Sequence, residues 1–159
     1  MDKVEFVLRV YREGDRDSGV QIKINGRDLV DLVRAVENPF AYKEGSPSIA
    51  GAYAGLPPEH VAPPSLHFWG QPSEGVYSLG PKIQVLGCEC GEPGCWPLVC
   101  YVEADRARVR WSSFEQLHRS GSRSHAAWTY DNLGPFEFER KQYEAALAAL
   151  KSGDTGADG

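Results

Sequence analysis

Eight of the 11 prolines fall between residues 39 and 81. Proline has no N–H to give to a helix interior or a central strand, so no long regular element can be placed there. The segment separates two patterned ends of the chain. It carries Tyr42, Tyr53, Phe68, Trp69 and Tyr77, with His60 and His67 among them. Disordered tracts are poor in aromatics, so this composition predicts an ordered, docked segment.

Before it, Val4, Phe6, Leu8 and Val10 alternate with Glu5, Val7 and Arg9, the period of a half-buried strand. Val20, Ile22 and Ile24 repeat the pattern, which predicts the return strand of a hairpin ended by Asn25-Gly26. Leu29, Leu32, Val33 and Val36 recur at helical spacing, giving a short amphipathic helix capped by Asp28 and stopped at Asn38-Pro39. After the proline-rich segment, strands are expected from Lys82 to Cys90, Trp96 to Glu103 and Arg106 to Ser112, joined as an antiparallel meander through Ala104-Asp105. Leu98, Cys100 and Val102 share one face of the second; Ala107, Val109 and Trp111 oppose Arg106, Arg108 and Arg110 in the third. A closing helix from about Glu139 to Lys151 places Tyr143, Ala146, Leu147 and Leu150 inward, and Ser152-Gly153 stops it. The expected product is a single α+β domain over residues 1–152, with hairpin and meander in one antiparallel sheet and a disordered tail at 153–159.

The 159 residues, 42% of them hydrophobic and 25% charged, suit one globular domain. A net charge of −5 provides no general field for phosphate backbones, which argues against a nucleic-acid partner. Arg106, Arg108, Arg110, Arg119 and Arg123, near Trp111 and Trp128, are the one basic and aromatic grouping. Alternate charges are also what the wet face of a strand carries. Trp69, Trp96, Trp111 and Trp128 read as core before pocket lining. Met1-Asp2-Lys3-Val4-Glu5 has charges where a signal peptide needs an apolar run, and no stretch approaches the ~18 apolar residues of a membrane span, so a cytoplasmic protein without a membrane partner is expected. No phosphate loop, nucleophile elbow or two-His metal helix is present in the sequence.

Three of the four cysteines lie within eight residues, in Cys88-Glu89-Cys90-Gly91-Glu92-Pro93-Gly94-Cys95-Trp96. In a reducing compartment such clustering points to metal or thiol chemistry before disulfides. Residues i and i+2 of a strand share a face about 6.7 Å apart, so Cys88 and Cys90 can address one ion, and the Gly-Pro-Gly turn returns Cys95 to them. Tetrahedral zinc takes four Cys or His ligands. The C-terminal ends of the first and third meander strands lie on one edge, which nominates His118 as the fourth. Cys100 has the phase of the buried face. His60, His67 and His125 are remoter candidates. Cys90 and Cys95 could alternatively serve redox chemistry. A nucleophilic arrangement of Cys95, His118 and Asp131, with Glu92 as another carboxylate, would need residues that sequence alone cannot bring together.

The run from Val85 through Cys88-Glu89-Cys90-Gly91-Glu92-Pro93-Gly94-Cys95-Trp96-Pro97-Leu98 continues into Val109-Arg110-Trp111, Phe114, His118-Arg119, Trp128 and Gly134-Pro135-Phe136-Glu137-Phe138. It resembles a family of small bacterial proteins to which no activity is assigned. The resemblance covers about the second half of the chain and implies a bacterial cytosolic protein. Other Cys-x-Cys zinc modules place a ligand His soon after the third Cys, where this chain has Trp96-Pro97. The reading is therefore a non-enzymatic protein that binds zinc structurally through Cys88, Cys90, Cys95 and His118 and acts through a protein partner. A thiol-dependent redox protein or enzyme using the same cysteines is the alternative.

Overall fold

The N-terminal alternation forms the expected hairpin. In a computed structural model that describes residues 1–10, 18–72, 78–79, 81–91, 93–121 and 126–156, strand β1 (Val4–Val10) pairs antiparallel with β2 (Ser18–Ile24). Val4, Phe6, Val20, Ile22 and Ile24 bury their side chains from it. Asn25 (φ 55°) and Gly26 (φ 82°) then take the two left-handed positions of a type I′ turn, sending the chain back as β3 (Arg27–Asp28) against β2. Asp28 caps the next helix, α1 (Leu29–Lys43), its carboxylate accepting the Val30 N–H at 2.8 Å.

Asn38-Pro39 does not stop α1. Pro39 lies inside the helix on an exposed position, as does Ala35, whose carbonyl the missing N–H would have served. Beyond the proline, Ala41 is buried and Phe40 stacks on Trp128 at 6.2 Å between ring centres. Packing past the proline outweighs the local signal to stop.

The proline-rich segment is docked, as its aromatics predict. It runs through a 3-10 turn at Pro47–Ile49, strand β4 (Tyr53–Ala54), a single helical turn α2 (Pro58–Val61), a second 3-10 turn at His67–Trp69, and strand β5 (Ser78–Leu79). Phe68 is buried between Phe6 at 4.9 Å and Trp111 at 5.9 Å, and its carbonyl accepts the Tyr143 hydroxyl at 2.5 Å.

Strands β6 (Lys82–Cys88), β7 (Leu98–Ala104) and β8 (Arg108–Gln116) form the meander, extended by β9 (Phe136–Glu139) in the order β4-β6-β7-β8-β9, with β5 also on β6. Several strand ends differ from expectation, with β7 and β8 each starting two residues later, at Leu98 and Arg108. Strand β6 stops at Cys88, leaving Cys90 in a turn, and β8 runs four residues beyond Ser112 to Gln116. Hairpin and meander also form two sheets instead of one, touching at the isolated bridges Val20↔Leu56 and Asp2↔Phe138. At the first bridge Gly55 lies so close to the Val20 backbone that a Cβ would overlap it.

Helix α3 (Arg140–Gly156) packs on β1 through buried Tyr143, Leu147 and Leu150. Its bounds pass through Ser152-Gly153, so the expected stop is overrun. The proposed tail at 153–159 overlaps this last turn and ends outside the described residues. Arg108 pairs with Glu137 at 3.0 Å, so part of the arginine grouping is neutralised on the sheet face, while Arg123 lies outside the described residues. The architecture is α+β. Among the described residues no helix is long and apolar enough to cross a membrane.

Candidate metal centre

The turn between β6 and β7 is short and built to fold back. The Gly91 N–H donates to the Cys88 carbonyl at 3.1 Å, and Gly91 itself stands at φ 97°, a conformation side-chain-bearing residues rarely adopt. A 3-10 turn at Pro93–Cys95 then reverses the chain towards β7. Outside this turn, the Glu89 N–H donates to the Ala52 carbonyl, and Tyr53 pairs with Cys88 across β4 and β6. The end of β6 is thus held on both sides.

This turn brings Cys88, Cys90 and Cys95 together, with all three sulfurs within 4.8 Å of one another. Among the described residues they form the one group of three or more His, Cys, Asp or Glu whose ligand atoms converge in this way. Tetrahedral zinc with Zn–S near 2.3 Å would hold its sulfurs about 3.8 Å apart, so closure asks for a shift of at most about an ångström. The convergence comes from a turn and not, as the strand phase implied, from two residues on one pleated face. The Cys90 N–H donates to the Cys88 sulfur at 3.4 Å, a contact that favours a thiolate there. Cys88 is half-buried, and Cys90 and Cys95 are exposed. Burial, together with the thiols of Cys90 and Cys95, pushes the Cys88 thiol up to about 12. A cation among the sulfurs would reverse that balance and release protons as it bound.

The meander brings His118 to the same edge. Leu86 pairs with Leu98, and Leu98 with Gln116, so three strands register in one row. Cys88 lies two residues past one end of the row, and His118 two residues past the other. The His118 ring is exposed, donates from Nε2 to the Gly94 carbonyl at 3.5 Å, and stacks on Trp96 at 5.9 Å. It therefore abuts Cys95 without joining the converged sulfurs. The bond to Gly94 engages Nε2, and Nδ1 is the ring nitrogen that it leaves over.

The other candidates are placed differently. Cys100 is fully buried in the core, and burial raises its thiol pKa. His67 is also buried, its Nε2 donating to the Gln84 carbonyl at 2.6 Å, four residues up the strand from Cys88. Burial lowers its pKa, which keeps the ring neutral. His60 sits on α2. Asp131 lines a surface groove with Leu32, Val36 and Phe40 of α1, and Cys95, His118 and Asp131 do not converge. His125 and Glu92 lie outside the described residues.

Around the turn stands an aromatic and ionic shelf. Arg119 lies over Trp96 at 5.0 Å and Trp128 at 5.5 Å, and its Nε reaches both carboxylate oxygens of Glu44 at 3.1 Å. The Trp128 indole N–H donates to Glu44 at 2.6 Å. Among the described residues the buried Trp96 indole N–H finds no hydrogen-bond partner, an arrangement that costs about 1–3 kcal/mol.

Below the shelf lies a buried carboxylate that sequence reasoning missed. Glu37 accepts the Gly51 N–H at 2.8 Å, the Tyr53 hydroxyl at 2.5 Å and the Tyr130 hydroxyl at 2.6 Å. Gln116 donates to the Tyr53 hydroxyl at 3.0 Å and accepts the His118 backbone N–H at 2.9 Å. Burial raises the Glu37 pKa against the lowering effect of these donors. The signal that could have found it is a lone Glu between Val33 and Ala41 on the inner face of α1. No protein family, no curated protein and no solved structure matches this chain.

Proposed function

We propose that the turn of Cys88, Cys90 and Cys95 holds one structural zinc ion, with His118 as fourth ligand, in a non-enzymatic protein that acts through contacts with another protein. The observation that supports this is the convergence of three sulfurs within 4.8 Å on a turn whose β6 end is held by β4. Thiolate sulfur selects zinc and other soft ions over magnesium or calcium. His118 fits as the fourth ligand because its ring already lies against Gly94, one residue before Cys95. Zinc bound there would tie the β6–β7 turn to the end of β8 and contribute folding free energy directly. The motif around the turn supports placing the protein in the bacterial cytoplasm.

The test is elemental analysis of protein purified without added metal, with thiols counted under native conditions. The expected result is near-stoichiometric zinc, with three thiols reacting only after chelation, and reduced zinc retention in His118→Ala. Metal-free protein with one fast-reacting thiol would favour thiol chemistry instead. Unchanged zinc in His118→Ala would remove that residue from the ligand set.

A further inference from the structure

Zinc asks for a fourth ligand, whereas among the described residues the three sulfurs converge without one. They come from a single turn, while His118 is stacked on Trp96 and bonded to Gly94. Cys90 and Cys95 are exposed, so a small solute has access to the group. Cys100 is sealed in the core and offers no competing partner. A three-sulfur site open on its fourth side matches a trivalent, thiophilic centre, which is pyramidal because a lone pair occupies the fourth direction.

We propose that Cys88, Cys90 and Cys95 form a binding site for arsenous acid and its trivalent relatives, using three sulfurs and not His118. The inference deepens the metal-site reading and rests on the same convergence of sulfurs, but it makes the opposite demand of His118. The chemistry balances without an oxidant. Three S–H bonds and three As–O bonds break. Three As–S bonds form, and the three thiol protons leave with the three hydroxides as water. Arsenic stays trivalent and each sulfur keeps its oxidation level.

The experiment titrates the reduced, metal-free full chain with arsenous acid, following near-ultraviolet absorbance from the new As–S bonds and counting native thiols. One equivalent should saturate the signal and protect three thiols. Cys88→Ser, Cys90→Ser and Cys95→Ser should each lose the saturable signal, while His118→Ala and Cys100→Ser keep it. Near-ultraviolet circular dichroism checks that each variant is folded. The Cys90 and Cys95 variants decide the matter, since those side chains are exposed. Saturable binding that survives in a single-cysteine variant, or that disappears in a folded His118→Ala, overturns the three-sulfur site. Protein that retains zinc but ignores arsenous acid overturns this inference alone. Protein that takes arsenous acid but never zinc supports it and overturns the zinc reading, and binding of neither ion overturns both.

Discussion

The Glu37 pocket and the cysteine turn adjoin, since Tyr53 of one is the strand partner of Cys88 of the other, yet they assemble polar atoms in opposite ways. Around Glu37 the groups complement each other. One carboxylate oxygen takes a backbone N–H, the other takes two tyrosine hydroxyls, and Gln116 serves the nearer tyrosine. In the turn, three groups of one kind face one another. As thiols they satisfy each other weakly, and as thiolates they repel. Complementary groups brought together hold a fold, as Glu37 ties α1 to β4 and to the segment before β9. Like groups brought together make a site for something of opposite character from outside the chain.

Removing that outside component should produce the largest effect. An ion present at about a thousand times its dissociation constant adds ~4 kcal/mol to folding. Chelation should then lower Tm by roughly 8–16 °C for a domain of this size, read by calorimetry. Cys90→Ser should start from the lower Tm and show no response to chelator. A wild-type Tm indifferent to chelator would place the turn in the same self-sufficient class as the Glu37 pocket.

The converse experiment attacks the pocket. Glu37→Ala strands two tyrosine hydroxyls and the Gly51 N–H, at about 1–3 kcal/mol for each group that water cannot reach. A loss of about 3 kcal/mol in urea unfolding is expected, with the bound metal per folded chain unchanged. A loss below about 1 kcal/mol would show that the pocket is hydrated or collapses without harm. A parallel loss of metal would show that the two regions are one unit, coupled through Gln116 and the His118 backbone.

These two regions differ just as much in how far the sequence discloses them. The cysteine turn is local: Cys88 to Cys95 span eight residues, and glycine and proline announce the reversal. The up-and-down order of the meander puts the ends of its first and third strands on one edge, which is why His118 lies beside the turn, stacked on Trp96. The Glu37 pocket is not local. Its members come from α1, the proline-rich segment, β8 and the segment before β9, and none carries a mark of its own. Helical periodicity registers apolar residues, so a glutamate on the inner face of α1 reads as a break in the stripe. Pro39 misled for a related reason, because Phe40 and Ala41 gain packing that no window along the chain contains. The two sheets meet through a close approach of Gly55 to Val20, which is likewise invisible from composition.

Cys100 gives a smaller effect that separates core from site. Its side chain is fully buried among apolar neighbours, so Cys100→Ser places a hydroxyl where burial costs about 1–3 kcal/mol. Urea unfolding should register about 2 kcal/mol, with metal content untouched. Loss of metal in a folded Cys100→Ser protein would place this residue in the ligand set.

The smallest effect is a change of slope. Burial holds the Glu37 carboxyl above its ordinary value of about 4.5, so the folded protein binds that proton more tightly than the unfolded chain does. Stability from this group is therefore complete below about 4.5 and is lost as pH rises through the folded value. Glu37→Gln cannot titrate. Its amide can face the tyrosines or Gly51 correctly, but not both, which sets a constant offset. The stability difference between wild type and Glu37→Gln should narrow as pH rises above about 4.5 and then level off, as followed by thermal unfolding in a series of buffers. Titrations elsewhere are common to both proteins and cancel. A difference that widens with pH would mean that the three donors favour the carboxylate by more than burial penalises it. The pocket would then be a preorganised anion site, closer in kind to the cysteine turn than its buried position suggests.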